Sequence, residues 1–143
     1  MRKAQLRTRM GWPSEQGAAA VEFAIICVLL LTIVFGAIEF GIAFSKVNVY
    51  TGAAREGARY AAVRCSPNLS CTNALIAQRV TDSAVGYPIG PGSPTASVQC
   101  SDSNVGAEVT VSWNQNITVN IPFVPGLNPK TFTRNVRAVF RCE

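Results

Sequence analysis

From Phe23 to Ile38 the chain reads FAIICVLLLTIVFGAI without one charged residue, and this run limits what the chain can fold into more than anything else in it. Allowing for Glu22 and Glu39 at its borders, the helical reading extends from Ala18 to Phe44, about 27 residues, or roughly 40 Å at a rise of about 1.5 Å per residue. A bilayer's hydrocarbon core is about 30 Å thick, so such a helix crosses it and emerges. A water-soluble core helix rarely looks like this, because it keeps a polar face for solvent. The run predicts a single membrane-spanning helix.

The flanks orient it. Residues 1–17 hold Arg2, Lys3, Arg7 and Arg9 against one acid, Glu15. Lysine and arginine resist translocation, which predicts a cytoplasmic N-terminus. Lys46, Arg55, Arg59 and Arg64 on the other side are as many, but spread over a longer stretch. The net charge of +5 needs no nucleic-acid partner, since topology accounts for four of the 13 basic residues. The resulting division is a basic cytoplasmic leader at 1–17, a transmembrane helix at 18–45 and an exported domain at 46–143.

Cysteine usage agrees with export. Cys27 lies inside the apolar run, while Cys65, Cys71, Cys100 and Cys142 all follow it. An even number beyond the membrane suits an oxidising compartment. Four cysteines allow three pairings, and strand phase favours one. In TASVQC, alternation puts Ala96, Val98 and Cys100 on one face, and in TFTRNVRAVFRC it puts Phe132, Val136, Ala138, Phe140 and Cys142 together. Both cysteines then face the core, which predicts Cys100 with Cys142 and leaves Cys65 with Cys71 to close a short loop. A zinc site is not expected from a chain with no histidine and no close CxxC pair among these four.

Beyond the membrane, 46–63 continues the helix, with Tyr50, Ala54, Gly57 and Ala61 recurring at spacings of three and four. This narrow, small-residue face would admit a close neighbour, either the domain's own sheet or another subunit. Thr72 or Asn73 would cap a second helix running to Val85, with Leu75, Ile76, Ala77, Val80, Ala84 and Val85 apolar and Gln78, Arg79, Asp82 and Ser83 polar; Gly86 and Pro88 stop it. GYPIGPGSP reads as a connection. Val109, Val111 and Trp113 then alternate with polar residues as a half-buried strand. Ile117, Val119 and Ile121 resume the pattern after an expected turn at Asn114–Asn116, and Pro125-Gly126 suits the centre of a type II turn before a last strand at 132–142. The fold class is α+β: one N-terminal transmembrane helix extended into an exported helix, a second short helix, and a small antiparallel sheet.

The junction between leader and apolar run is the most specific signal. A secretory signal peptide loses its apolar segment on cleavage. Here the order Gly17-Ala18-Ala19-Ala20-Val21-Glu22-Phe23 is reversed: a cut after Gly17 removes the basic leader and keeps the helix. The chain would then begin at Ala18 with an acid at its fifth position. A carboxylate at the edge of hydrocarbon is costly and tends to be functional. Its natural partner is an α-amino group created by that cut, its own or a neighbour's.

Gly17, Glu22 and Phe23 resemble the processing site of type IV prepilins of the short Flp kind. GAAAVEFAIICVLLLTIVFGAIEFG followed by NVYTGAAREGARYAAV is similar to the TadE-like family of minor pilins, or pseudopilins, in tight-adherence secretion systems. The resemblance is strong from Gly17 to about Ala62 and looser beyond. It implies a bacterial inner-membrane pseudopilin with its C-terminal domain periplasmic or extracellular. Such a protein is cut by a prepilin peptidase and works with other pilin subunits and the tight-adherence assembly platform to build Flp pili for surface attachment. By residue, Gly17 would close the leader, Glu22 would be read in processing or docking, and Ala54, Arg55, Glu56, Gly57, Ala58 and Arg59 would form the family's AREGAR segment. Two residues depart from the pattern. Val28 stands where many relatives carry a proline, so this helix should be straighter, and Cys27 is an intramembrane thiol that reads as a small apolar filler.

Each feature has a plainer reading. Glu22 can sit in headgroup water; Glu39, about 25 Å further along the helix, can be solvated at the outer interface. Ala37, Gly41 and Ser45 have small-xxx-small spacing for a helix contact, a pattern common by chance. Within AREGAR, Arg55 and Arg59 repel while Glu56 and Arg59 attract at i, i+3, for a few tenths of a kcal/mol. No catalytic constellation is present: the chain lacks histidine, paired carboxylates in an exported motif, and a glycine-rich phosphate loop, so neither an enzyme nor a cofactor is expected. An assembly component is thus set against an uncleaved, signal-anchored protein that displays a ligand-binding or partner-binding domain. The two differ at Gly17.

Overall fold

The computed structural model describes residues 14–64 and 72–143. Helix α1 is Ser14–Arg64, α2 is Asn73–Ser83, and strands β1 (Thr95–Ala96), β2 (Glu108–Val119) and β3 (Lys130–Arg141) form one antiparallel sheet in the order β1-β2-β3. A single 3-10 turn, Asp102–Asn104, precedes β2. The proposed α+β class is the fold observed.

Helix α1 is the one helix among the described residues that is long and apolar enough to cross a membrane. It runs without a break through the boundary placed at 45/46, and no proline interrupts it at Val28. Inside the apolar run the Thr32 hydroxyl donates to the Val28 carbonyl at 2.8 Å, which satisfies it without water. Phe23, Leu29, Leu30, Ile33 and Phe40 are all exposed in the isolated chain. The character of the helix changes at Tyr50. From there Ala53, Ala54, Ala58, Ala61 and Ala62 are buried under α2 and the sheet.

The small-residue face therefore packs within its own chain. A Cβ added at Gly57 would fall on the Val80 side chain, with Val111 Cγ1 3.6 Å away. Glycine is what allows α2 to lie against α1 there. Ile76 and Val80 are the buried stripe of α2, and its C-cap Ala84 extends that stripe at i+8. Thr72 caps this helix, its hydroxyl accepting from the Leu75 N–H at 3.4 Å. The helix stops at Ser83, two residues short of the expectation, with Gly86 at φ +81° in the exit. Leu75 and Val85, assigned to its apolar side, are exposed because they lie off the stripe that meets α1.

Strands β2 and β3 pair along their whole length, from Glu108 with Arg141 to Val119 with Lys130. The turn expected at Asn114–Asn116 does not occur. Those residues continue β2: the Asn135 Nδ2 donates to Asn114 Oδ1 at 3.1 Å and the Thr133 hydroxyl to Asn116 Oδ1 at 2.8 Å, so the two asparagines form cross-strand pairs on the open face. The actual reversal lies between Asn120 and Pro129. There the Leu127 N–H reaches the Val124 carbonyl at 3.2 Å around Pro125-Gly126, with Gly126 at φ +85°, as that dipeptide predicts.

Phase was right for Val136, Ala138 and Cys142, which are buried, and incomplete for Phe132 and Phe140, which share it but are exposed. Phe132 lies past Val136, where burial on β3 ends, whereas Phe140 sits between the buried Ala138 and Cys142 and its exposure has no structural explanation. Val98 is also exposed, since β1 ends at Ala96 and alternation lapses with it. Cys100 and Cys142 are disulfide-bonded, with Cα atoms 5.4 Å apart, and fasten the connection before β2 to the end of β3. The Cys65–Cys71 pairing lies outside the described residues.

Candidate functional site

Three clusters along α1 hold the residues that the sequence singles out. Gly17, Ala18, Glu22 and Phe23 are in the first turns, exposed, and a Cβ at Gly17 would meet nothing within 4 Å. Ala18 and Glu22 stand at i, i+4 on one face, close enough for a carboxylate to meet an amine at position 18. Among the described residues no hydrogen bond or ion pair engages Glu22.

One and a half turns below the core, Ala37, Gly41 and Ser45 are exposed, and none of the described residues covers them. This contrasts with Ala54 and Gly57, which α2 and the sheet occupy. Small-residue spacing alone could not separate the two stripes.

The AREGAR segment is the third cluster. Arg55 and Arg59 point to solvent. Glu56 does not pair with Arg59 as its i, i+3 spacing suggests; it pairs with Arg79 of α2, whose Nη2 and Nε donate to the same Oε1 at 2.6 and 3.1 Å. Tertiary packing brings α2 alongside and offers a better-aligned guanidinium than the helix's own next turn. With side-chain exposures of 50% and 34% the pair is largely solvated, so its contribution is about 1 kcal/mol or less. Glu56, Arg59, Tyr60, Val63 and Arg79 line a shallow open cleft there.

Two contacts had no counterpart in the sequence reading. Glu39, read as solvated, accepts from the Asn120 N–H at 3.5 Å, and with Phe35, Ile38, Pro122 and Asn128 it lines a cleft of about 340 Å³ between α1 and the β2–β3 connection. Gln115 is buried: its Oε1 accepts from Trp113 Nε1 at 3.0 Å and from the Gly90 N–H at 3.1 Å, while its Nε2 donates to the Pro88 and Asn116 carbonyls at 3.4 and 3.3 Å. Its position between Trp113 and Ile117 on the inward phase was the available signal. Nearby, the Tyr50 hydroxyl donates to the Pro88 carbonyl at 3.2 Å and its ring meets Tyr87 edge-on at 6.3 Å. Burial, and secondarily the neighbouring Tyr87, push the Tyr50 phenol above its ordinary pKa of 10.0. Among the described residues no group of three or more Asp, Glu, His or Cys side chains is gathered for a metal.

A family model described as TadE-like protein matches residues 17–59, the family that the sequence resembles. The match begins at the junction glycine and ends in AREGAR, so it covers the membrane-crossing part of α1 and the part that packs on the domain. This TadE-like segment points to Tad and Flp pilus-related function. No curated protein matches the chain, and no solved structure does.

Proposed function

We propose that the protein is a minor pilin, or pseudopilin-like, component of Flp-type pilus assembly, held in the bacterial inner membrane by α1 with its N-terminus cytoplasmic and its domain outside. The observation that carries this reading is the TadE-like match over 17–59, lying on a helix whose side chains from Phe23 to Val34 are left largely exposed by the described residues. A helix apolar on all sides and topped by a small domain is suited to lie in lipid and to pass from there into a bundle of similar helices. Prepilin peptidase cuts after Gly17, discarding the leader and creating an α-amine at Ala18. Glu22 on the same face neutralises that amine, or the amine of an adjacent subunit, and so sets the axial register of one helix against the next. Ala37, Gly41 and Ser45 give neighbouring helices a close approach, and the tight-adherence platform is the assembly machine.

The test is intact-mass and N-terminal analysis of the membrane-extracted chain, expressed with and without its cognate peptidase. A chain starting at Ala18 only when the peptidase is present supports the proposal, whereas an unchanged N-terminus in both samples favours a fixed anchor displaying a binding domain. Glu22→Ala should abolish pilus assembly yet leave the domain's thermal unfolding unchanged, since position 22 lies far from the core that begins at Tyr50.

A further inference from the structure

The strands β2 and β3 extend well past the core. Their buried residues end at Ile117 on β2 and at Val136 on β3, yet the pairing continues to Val119 with Lys130, and the connection between them comes to lie beside α1 at Phe35, Ile38 and Glu39. That is the apolar part of the helix. Counting about 20 residues for a hydrocarbon core of about 30 Å from Ala18 brings the far boundary to about Ile38. The β2–β3 connection thus reaches the level at which the helix leaves the bilayer, on the side from which the domain projects.

Its composition fits that depth. Asn120 and Asn128 flank Ile121-Pro122-Phe123-Val124-Pro125-Gly126-Leu127, a tip without charge. Phe123 is 64% exposed and has φ +67°, a conformation that bulky residues rarely adopt. Phe132 is 49% exposed on the same end of the hairpin. Cations flank Phe132 along β3: Lys130 opposite Val119 and Arg134 opposite Gln115 are both exposed and share the face that carries Phe132. Apolar tip below and long-stemmed cations above are the arrangement in which alkyl stems lie along apolar surface and charged heads reach phosphates.

We propose that the Asn120–Pro129 connection is a second membrane contact, inserting Phe123 among the acyl chains beside the Phe35–Glu39 turn of α1 and placing Lys130 and Arg134 on the phosphates of anionic phospholipid. The occupant is lipid because the tip is fixed at bilayer depth by its contact with the spanning helix, continuous with the surface that already requires lipid. The inference rests on α1 crossing the membrane and is independent of the pilus reading.

The test uses the full chain, one copy per nanodisc so that no second subunit can cover the tip, in a Trp12→Phe background whose own emission, from the buried Trp113, is subtracted from that of each variant. Single variants Phe123→Trp, Leu30→Trp and Val105→Trp are compared in discs holding lipids brominated near the glycerol or near the chain end, with an intact Cys100–Cys142 bridge checked by mass. Phe123→Trp should show blue-shifted emission quenched most by the shallow bromines, Leu30→Trp should be quenched most by the deep ones, and Val105→Trp, at the opposite end of the sheet, should be quenched by neither. Exchange of phosphatidylglycerol for phosphatidylcholine, or addition of Lys130→Gln with Arg134→Gln, should weaken the shallow quenching. Water-like emission from Phe123→Trp beside normal quenching of Leu30→Trp overturns the second contact alone and leaves the tip for a protein neighbour. Loss of quenching from both overturns the spanning premise with it.

Discussion

Tyr50 on the long helix and Gln115 on the central strand donate to the same oxygen, the Pro88 carbonyl, at 3.2 and 3.4 Å. One main-chain acceptor in the connection after α2 thereby ties helix to sheet. A carbonyl oxygen has two lone pairs, and here both donors come from buried side chains that would be costly to leave unpaired.

Gln115→Met keeps the volume and removes the acceptor used by Trp113 Nε1 and the Gly90 N–H. Leaving those donors unsatisfied should lower stability by about 1–3 kcal/mol. Denaturant unfolding monitored by tryptophan fluorescence reads the loss, and an unchanged midpoint would mean that water replaces the amide without cost.

The raised pKa of Tyr50 has a definite sign. The fold favours the neutral phenol, so its contribution is fully present below the ordinary value of 10.0 and is lost as pH rises through the higher folded-state value. The melting temperature should fall above about pH 10. Tyr50→Phe should flatten that alkaline decline while lowering stability at neutral pH by about 1 kcal/mol for the lost bond to Pro88. A decline of equal slope in both proteins would assign the effect to other groups.

At Gly57 two effects oppose each other. Alanine gains up to about 1 kcal/mol of helix propensity. Its Cβ, however, falls on the fully buried, χ1-restricted Val80, and overpacking costs about 1–3 kcal/mol. Gly57→Ala should therefore be destabilising, by calorimetry of the full chain in detergent, yet neutral or stabilising when added to Val80→Ala. Equal effects in the two backgrounds would show that α2 does not press on α1 here.

Removing the bridge with Cys100→Ala and Cys142→Ala frees a loop with a sequence separation of 42. The chain-entropy relation puts the loss at about 4 kcal/mol. Denaturant unfolding of the paired variant, with Cys65 and Cys71 intact, measures it, and a loss well below about 2 kcal/mol would mean that the unbridged unfolded chain is already compact.

Much of this architecture could be read from local pattern. An uninterrupted apolar run, a Thr72 cap before a 3.6-residue period, and strict alternation through Trp113 each report a structure that neighbouring residues specify. The Cys100–Cys142 pair was expected and is present, with Cys142 in phase on β3 and Cys100 buried although the alternation expected before it lapses at Val98. What failed was what only tertiary packing decides. Asn114-Gln115-Asn116 has the composition of a turn, and only the partner strand, bonding the asparagines outside while Gln115 is buried, keeps it extended. Glu56 had a plausible partner one turn away and took Arg79 from another helix. Of the candidate sites, the Gly17–Phe23 signature is linear and so was legible, whereas the approach of Asn120 to Glu39 joins positions far apart in the chain and was not.

The uninterrupted α1 makes the protein mechanically a single shaft. Its upper portion is clamped by α2 and the sheet, so no swivel separates the apolar run from the domain. A sliding step of one residue along the bilayer normal lifts the head by about 1.5 Å, and a full turn lifts it by about 5.4 Å. Tilt at the foot becomes sweep at the head, and torque applied to either end is delivered to the other.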